Sequence, residues 1–183
     1  MSKPVIATTA LASCFGCHMS LLDIDEKILD LIELVEFNKS PIDDIKKFTK
    51  QCDIGLIEGG CCNSENVEIL KDFRKNCNIL ISVGECAIMG GLPAMRNGIP
   101  IQELIDEAYL DGPTVIDGNK DKVLPNDDEL PMLLDKVYPC HEIVKIDYFL
   151  PGCAPRAELI WEALVALIKG TPLDLPYEAF KFD

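Results

Sequence analysis

The sequence predicts an α/β protein built on a parallel sheet of four or five strands, and two observations support this fold class. Four apolar runs rich in β-branched residues have the composition of strands buried on both faces, as in a parallel sheet. Segments with helical spacing separate these runs, and such alternation is typical of parallel α/β sheets. The predicted strands are PVIATTAL (4–11), CDIGLIEG (52–59), NILISVGE (78–85) and EIVKIDYFL (142–150). Their order indicates a three-layer, flavodoxin-like fold.

The helices between these strands are predicted from apolar spacing and from their end signals. They cover residues 18–35, 63–77, 100–112 and 155–170. The first helix is expected to break near Asp25 and to lead into a short strand, LVEF. The second has Asn63 or Ser64 as its N-cap, with acidic residues early and basic residues late, which suits the helix dipole. The last opens with Pro155 in its first turn and closes at Gly170.

We expect residues 1–183 to form one domain, since an apolar content of 48% is sufficient for a core. Residues 111–141 are rich in Gly, Pro and Asp and are predicted to be an irregular excursion. Residues 171–183 are predicted to be an extended tail.

The charge and the cysteine count exclude several classes of protein. A net charge of −14 disfavours nucleic acid and anionic membranes as partners. The sequence shows neither an export signal nor a membrane span, so a cytoplasmic location is expected. Nine cysteines, an odd number, argue against a disulfide framework and point to metal, a redox dithiol or buried thiols.

Cysteines follow each of the four predicted strands. They are Cys14 and Cys17 in SCFGCH, Cys61 and Cys62 in EGGCCNS, Cys86 in GECAIMGG, and Cys153 in LPGCAP. The carboxyl ends of parallel strands meet at one edge of a sheet, where ligands bind. Four loops at that edge therefore can converge on one site.

The residues around these cysteines favour an iron–sulfur cluster over the alternatives. Glycines adjoin the candidate ligands and let backbone N–H groups approach a bulky anionic group whose sulfides accept hydrogen bonds. A structural zinc site more often uses two C-x-x-C pairs, whereas here the second half consists of single cysteines. Zinc and a thioredoxin-like dithiol remain as weaker alternatives.

Four separated motifs resemble the small subunit of [NiFe] hydrogenases, and most closely that of the cytoplasmic NAD(P)-linked bidirectional (Hox-type) enzymes. The motifs are CFGCHMSLLDID, IEGGCCNSENVEILKDFR, VGECAIMGGLPAMRN and LPGCAPRAELIW, and the resemblance covers residues 4 to 169. The C-x-G-C, G-x-C and P-G-C elements also resemble, more loosely, the cluster-bearing subunit of complex I.

The resemblance implies an oxidoreductase subunit with one proximal [4Fe–4S] cluster, held by Cys14, Cys17, Cys86 and Cys153. It implies a large subunit that carries the NiFe centre and diaphorase subunits with iron–sulfur clusters and flavin. A flavin mononucleotide in this chain is a less favoured alternative. Longer relatives carry a second domain with two more clusters, so a single cluster is expected here. A complex I-like or F420-linked hydrogenase subunit is the second hypothesis, and a zinc-stabilised binding module is the third.

Several residues near the predicted cluster have interpretations that the sequence alone does not decide. Cys61 and Cys62 are expected to lie near the cluster without ligating it. Glu58 either orders the cluster loops or passes protons, or is simply satisfied by loop N–H groups. His18 stands where many membrane-linked relatives have Glu, so a proton-relay role is not transferred to it. It either contacts the large subunit or hydrogen-bonds a cluster sulfur, or it is a surface histidine at the start of a helix. The loop GGLPAMRNG (90–98) is expected to shape a subunit interface rather than to bind phosphate or flavin. Ala154 departs from relatives that have Pro there, and we expect the turn to be kept.

Overall fold

The computed structural model describes residues 3–115 and 123–172. Along the chain the strands are β1 (Val5–Ala10), β2 (Glu36–Phe37), β3 (Cys52–Glu58), β4 (Cys61–Asn63), β5 (Cys77–Val83), β6 (Leu133–Tyr138) and β7 (Tyr148–Leu150). Five of them form a wholly parallel sheet in the order β2-β1-β3-β5-β7. This order confirms the predicted α/β fold with flavodoxin-like connectivity. The other two, β4 and β6, pair antiparallel beside it.

The predicted helices are present with small changes at their ends. The α-helices are α1 (Gly16–Leu22), α2 (Lys27–Leu34), α3 (Ser64–Asn76), α4 (Glu85–Met89), α5 (Ile101–Asp106), α6 (Cys140–Ile143) and α7 (Ala157–Lys169). The break near Asp25 separates α1 from α2, and Asp25 adopts a φ of 59°. Asn63 caps α3 by accepting a hydrogen bond from the Asn66 backbone N–H at 2.8 Å. A left-handed Gly170 ends α7, as the C-cap rule predicts.

Two apolar cores cover the two faces of the sheet, which makes the fold three-layered. One core joins the strands to α1, α2 and α7 and includes Ile6, Leu31 and Leu164. The other lies on the opposite face, where Leu70 and Phe73 of α3 are fully buried. Because both faces are covered, the carboxyl edge of the sheet is the place where loops can build a site.

The structure differs from the prediction near the last strand. The sequence predicts one strand over the apolar run 142–150, but only its last three residues, Tyr148–Leu150, pair with β5. Its beginning belongs to α6 instead. The predicted irregular excursion 111–141 also contains β6, which pairs with β4. Most of the predicted tail, residues 173–183, lies outside the described residues. In the described ranges, no helix is both long and apolar enough to cross a membrane.

Asp147 connects α3 to the sheet and should make stability depend on pH. Its carboxylate accepts hydrogen bonds from Arg74 at 2.6 Å and from the Leu80 backbone N–H at 2.9 Å. Burial alone would raise the pKa of Asp147, but these hydrogen bonds and the Arg74 charge outweigh it and lower the pKa. The stabilisation is therefore complete above the unfolded pKa of about 4 and is lost as pH falls through the lowered folded value.

We expect Asp147→Asn to lower the free energy of unfolding by about 1–2 kcal/mol at pH 7, because a charge-assisted bond is lost. Urea titrations at pH 7 and near pH 3 would measure this, and the difference from wild type should shrink in acid. Asp72→Asn is the matched control, since Asp72 pairs with Lys39 at 3.3 Å but its side chain is 47% exposed. A penalty for Asp147→Asn that is equal at both pH values would contradict the assignment.

Candidate metal centre

The four predicted ligands line one cavity at the carboxyl edge of the sheet. Cys14 and Cys17 come from the segment after β1, Cys86 from the start of α4, and Cys153 from the loop after β7. The cavity has a volume of about 80 Å³. The end of β3 contributes Glu58 to the lining, the next residue contributes Gly59, and no cysteine after β3 lines the cavity until Cys86 of α4. Residues up to 139 positions apart in the sequence, from Cys14 to Cys153, are thus brought together by strand order alone.

The thiols at this edge differ in their surroundings. Cys14 and Cys153 are exposed, whereas Cys17 and Cys86 are half-buried. Burial, with further contributions from Glu58 and the other three thiols of the site, raises the pKa of Cys17 to about 12. Burial also raises the pKa of Cys86, although a hydrogen bond from the Leu92 backbone N–H opposes the shift. The raised pKa values mean that Cys17 and Cys86 are protonated when no metal group is bound. A metal group bound through their thiolates would displace these protons.

Glycines leave the space that the sulfur atoms occupy. A Cβ at Gly84 would overlap the Cys17 Sγ, and a Cβ at Gly91 would lie 2.8 Å from the Cys86 Sγ. A Cβ at Gly16 would lie 3.1 Å from the Cys14 Sγ. Gly84 and Gly91 also have φ values of 81° and 51°, which side chains rarely adopt. The sulfur atoms pack so closely against Gly16, Gly84 and Gly91 that these three positions require glycine.

The donor set suits a group larger than one ion. Among the described ranges, no three His, Cys, Asp or Glu side chains lie close enough together to hold a single metal ion. The four thiols instead surround a cavity, and sulfur donors with nearby backbone N–H groups are what an iron–sulfur cluster requires. The residues present therefore fit a [4Fe–4S] cluster bound by four cysteines.

Glu58 ties together both flanks of the C-x-x-C segment. Its side chain is only 1% exposed. One carboxylate oxygen accepts the Ser13 hydroxyl at 2.6 Å, and the other accepts the His18 backbone N–H at 2.7 Å and lies 2.6 Å from the His18 Nδ1. Burial alone would raise the pKa of Glu58, but the bonds from His18 and Ser13 outweigh it and lower the pKa. Ser13 and His18 immediately flank Cys14 and Cys17, so Glu58 orders this loop.

The hydrogen bonds continue from Glu58 into the protein. Because an ionised carboxylate only accepts, the His18 Nδ1 donates to Glu58. The opposite ring nitrogen, Nε2, lies 2.9 Å from the Thr8 hydroxyl, which in turn lies 2.7 Å from the Ser40 hydroxyl. Phe15 stacks on the His18 ring at 4.6 Å. His18 is therefore a buried, fully bonded residue and not a surface histidine at a helix start.

Cys61 and Cys62 lie beside the cavity but do not line it. Cys61 is fully buried in the core under α3, and burial raises its pKa to about 11. The Cys62 thiol donates to the Asn66 side-chain oxygen at 3.3 Å. Cys52, Cys77 and Cys140 are buried in the same core. His141 packs edge-on against Phe149 at 5.9 Å.

The predicted loop 90–98 contains a 3-10 helix, Leu92–Gly98, and its polar side chains hold β6. Arg96 donates to the carbonyl oxygens of Leu134 and Asp135 at 3.0 and 3.3 Å. Asn97 exchanges two hydrogen bonds with the Val137 backbone, at 2.9 and 2.8 Å. The apolar side chains of this loop, Leu92 and Met95, are more than 70% exposed. The basic residue of the loop therefore supports the fold, and the loop presents an apolar surface to solvent.

Sequence reasoning missed several residues that contact the ligand loops, among them Ser13, Thr8 and Glu85. Ser13 and Thr8 give no signal in the sequence, because hydroxyl residues are common near strand ends. Glu85 directly precedes Cys86, and that adjacency is the one signal by which the sequence could have indicated it.

Comparison with known proteins places the chain in a family. Residues 14–167 match the family described as NADH ubiquinone oxidoreductase, 20 Kd subunit. The matched range includes all four cysteines of the cavity. The chain belongs to this family.

Two relatives of the chain are hydrogenase subunits. The chain is 46% identical to the NAD-reducing hydrogenase HoxS subunit delta of Cupriavidus necator, covering 99% of this chain and 86% of the relative. It is 38% identical to a subunit of the F420-non-reducing hydrogenase of Methanothermobacter marburgensis, covering 95% of this chain and 56% of that protein. These similarities confirm the resemblance to hydrogenase small subunits.

Solved structures of hydrogenases share the fold. The structure of a NAD+-reducing [NiFe]-hydrogenase in the H2-reduced state superposes with a TM-score of 0.94 and 48% identity, covering 100% of both chains. A [NiFeSe] hydrogenase from Desulfovibrio vulgaris Hildenborough gives a TM-score of 0.56 at 16% identity, with 91% of this chain and 60% of that chain covered. The second similarity concerns the fold alone.

Proposed function

We propose that this chain is the electron-transfer (small) subunit of a NAD(P)-linked [NiFe] hydrogenase. In this role it relays electrons through one proximal [4Fe–4S] cluster, between the NiFe site of a large subunit and a diaphorase module. The observation that carries the proposal is the convergence of four cysteines from three loops on one glycine-lined cavity. The similarity to a NAD-reducing hydrogenase subunit over nearly the whole of both chains supports the same role.

The proposed ligands are Cys14, Cys17, Cys86 and Cys153, and a cluster bound there supplies one-electron transfer. The protein's own contribution is to bind and position it. Gly84 and Gly91 admit the sulfur atoms of Cys17 and Cys86 where any side chain would exclude them. The Leu92 backbone N–H donates toward the Cys86 sulfur, and such hydrogen bonds tune the potential of a cluster.

The proposed partners are a large subunit that carries the NiFe centre and diaphorase subunits that carry flavin and further clusters. A flavin in this chain is not favoured, because Arg96 and Asn97 of the glycine-rich loop bind the backbone of β6. All nine cysteines are free thiols, which suits the reducing cytoplasm that we propose as the location.

Two alternatives differ from this proposal in measurable ways. An F420-linked or complex I-like subunit would contain the same cluster but co-purify with other partners. The match of residues 14–167 to the 20 Kd subunit family of NADH ubiquinone oxidoreductase favours the complex I-like form. The 25% identity to the coenzyme F420 hydrogenase subunit gamma of Methanococcus voltae favours the F420-linked form. A zinc-stabilised binding module would need four donors about 2.3 Å from one ion. In the described ranges, no three such side chains are close enough to hold one ion.

The first experiment is to measure iron and acid-labile sulfide in the anaerobically purified complex, with its partners identified. We expect about four iron and four sulfide per copy of this chain, beyond what the partners contain. One zinc without sulfide would refute the proposal in favour of the binding module. A full cluster with an F420-reducing partner would support the second alternative.

A further inference from the structure

The loops that carry Cys86 and Cys153 are joined by a ladder of hydrogen bonds that extends beyond the sheet. The regular pairing of β5 with β7 ends at Val83 and Leu150. Beyond it, the Gly84 backbone N–H donates to the Leu150 carbonyl at 2.8 Å, and the Glu85 backbone N–H donates to the Gly152 carbonyl at 3.1 Å. The two loops therefore stay paired up to the residues that precede the two cysteines.

The final bond of this ladder is made by a side chain. The Gly152 backbone N–H donates to the Glu85 carboxylate at 3.0 Å. Glu85 thus both donates to Gly152 through its backbone and accepts from Gly152 through its side chain. This two-bond contact fixes the relative position of the peptide units immediately before Cys86 and Cys153.

The backbone conformation of Gly152 leaves no room for a side chain at this position. Its φ is 132°, and a Cβ there would lie 2.6 Å from the Cα of Pro155. Pro155 is itself fully buried, and its carbonyl accepts a hydrogen bond from Ser20 of α1. The backbone of the 152–155 turn is therefore held on one side by α1 and on the other by Glu85.

We propose that Glu85 is a positioning residue for the metal group, and that it sets the separation of Cys86 and Cys153 by accepting the Gly152 N–H. This proposal rests on the proposed function, because it assumes that these two cysteines are ligands. Glu85 also lines the cavity. Its connection to the loop that carries Cys153 is made by one carboxylate oxygen, Oε1, which accepts the Gly152 N–H. The role requires a hydrogen-bond acceptor of this length and does not require a negative charge.

Two substitutions of similar size separate the acceptor from the charge. Glu85→Gln keeps an oxygen at the same reach and removes the charge, whereas Glu85→Met keeps the length and removes the acceptor. Each variant would be purified anaerobically as the complete complex. The readouts are iron per complex, the rate of iron release to a chelator, and the electron paramagnetic resonance spectrum of the reduced cluster.

We expect Glu85→Met to release iron about fivefold faster than wild type, the factor expected when one hydrogen bond is lost. Its cluster spectrum should also broaden, because the ligand loops vary in position. Glu85→Gln should release iron within about twofold of the wild-type rate. Failure of the Glu85→Met complex to assemble, with normal assembly of Glu85→Gln, would support the role equally.

Two results would overturn the positioning role alone: wild-type behaviour of Glu85→Met, or equal impairment of both variants, which would indicate a role for charge. In both cases the wild-type complex still contains its cluster and the proposed function stands. A wild-type complex without iron and sulfide beyond what its partners contain would overturn the proposed function and the positioning role together.

Discussion

Replacing Cys86 or Cys153 by Ser is expected to abolish H2-driven NAD(P)+ reduction by the assembled complex. A serine hydroxyl is a poor substitute for a thiolate, which is the usual ligand of an iron–sulfur cluster. The same variants should contain less iron and less acid-labile sulfide than wild type. Activity and metal content of the purified complexes, measured side by side, test both statements.

Neither cysteine is part of the hydrophobic core, so we expect the serine variants to lose the metal group and activity without unfolding. Cys153 is exposed and Cys86 is half-buried, so neither replacement removes a fully buried core side chain. Thermal unfolding midpoints of the variant complexes would show whether the fold is retained. If a variant complex remains folded but has lost both cluster iron and activity, the loss of activity follows from the loss of a cluster ligand.

Cys62→Ser is the matched control for these variants. Cys62 lies in β4, outside the cavity lining, and its thiol donates to the Asn66 side chain. A serine hydroxyl can make the same hydrogen bond, so we expect near wild-type activity and iron content. Full activity in Cys86→Ser or Cys153→Ser would refute the ligand assignment. Loss of iron in Cys62→Ser would add Cys62 to the site.

The convergence of the four cysteines on one candidate site was predictable from the sequence, because it follows from backbone topology. Strands buried on both faces are recognisable by their continuous β-branched runs, and β5 (Cys77–Val83) is an example. Once the sheet is parallel, every strand ends at the same edge. The cysteines after β1, β5 and β7 must then lie near one another, whatever their separation in the sequence.

The side-chain network around the site was not predictable in the same way. The bonds of Glu58 to Ser13 and His18 join residues 45 and 40 positions apart, and their geometry depends on side-chain rotamers. The sequence places Glu58 at the edge, but leaves open whether it orders the loop, passes protons or is simply satisfied by N–H groups. The structure favours loop ordering, because its partners directly flank Cys14 and Cys17.

The error near the last strand has a physical reason as well. Residues 142–150 have strand-like composition, but β7 is an edge strand and pairs only with β5, over three positions. Upstream, Cys140 is buried in the core on the α3 face and begins the short helix α6. Asp147 then bonds to Leu80 and Arg74, which directs the chain into the sheet only at Tyr148.

Gly84→Ala is expected to disrupt the metal centre as severely as loss of a ligand, although it changes no donor atom. Gly84 has a φ of 81° and a ψ of 165°, a backbone conformation that costs about 1–3 kcal/mol for a residue with a Cβ. The new methyl group would also overlap the Cys17 Sγ. The backbone cannot shift away easily, because the Gly84 N–H donates to the Leu150 carbonyl at 2.8 Å.

The sulfur atom of Cys17 must therefore move, and with it one of the four proposed ligands. We expect the Gly84→Ala complex to retain less than about a tenth of the iron that wild type contains beyond its partners' share, and its free energy of unfolding to fall by at least the backbone cost of about 1–3 kcal/mol. Iron content and chemical unfolding of the anaerobically purified complex measure the two effects separately.

Gly98→Ala provides the matched control within the same region of the chain. A Cβ at Gly98 would meet no atom within 4 Å, and this glycine is not in the left-handed conformation. We expect wild-type iron content and stability within about 0.5 kcal/mol, as for ordinary surface substitutions. If Gly84→Ala bound iron as well as Gly98→Ala does, the close packing of Gly84 against Cys17 would not be needed for the site. The cluster would then have to be held with Cys17 in another position or without it.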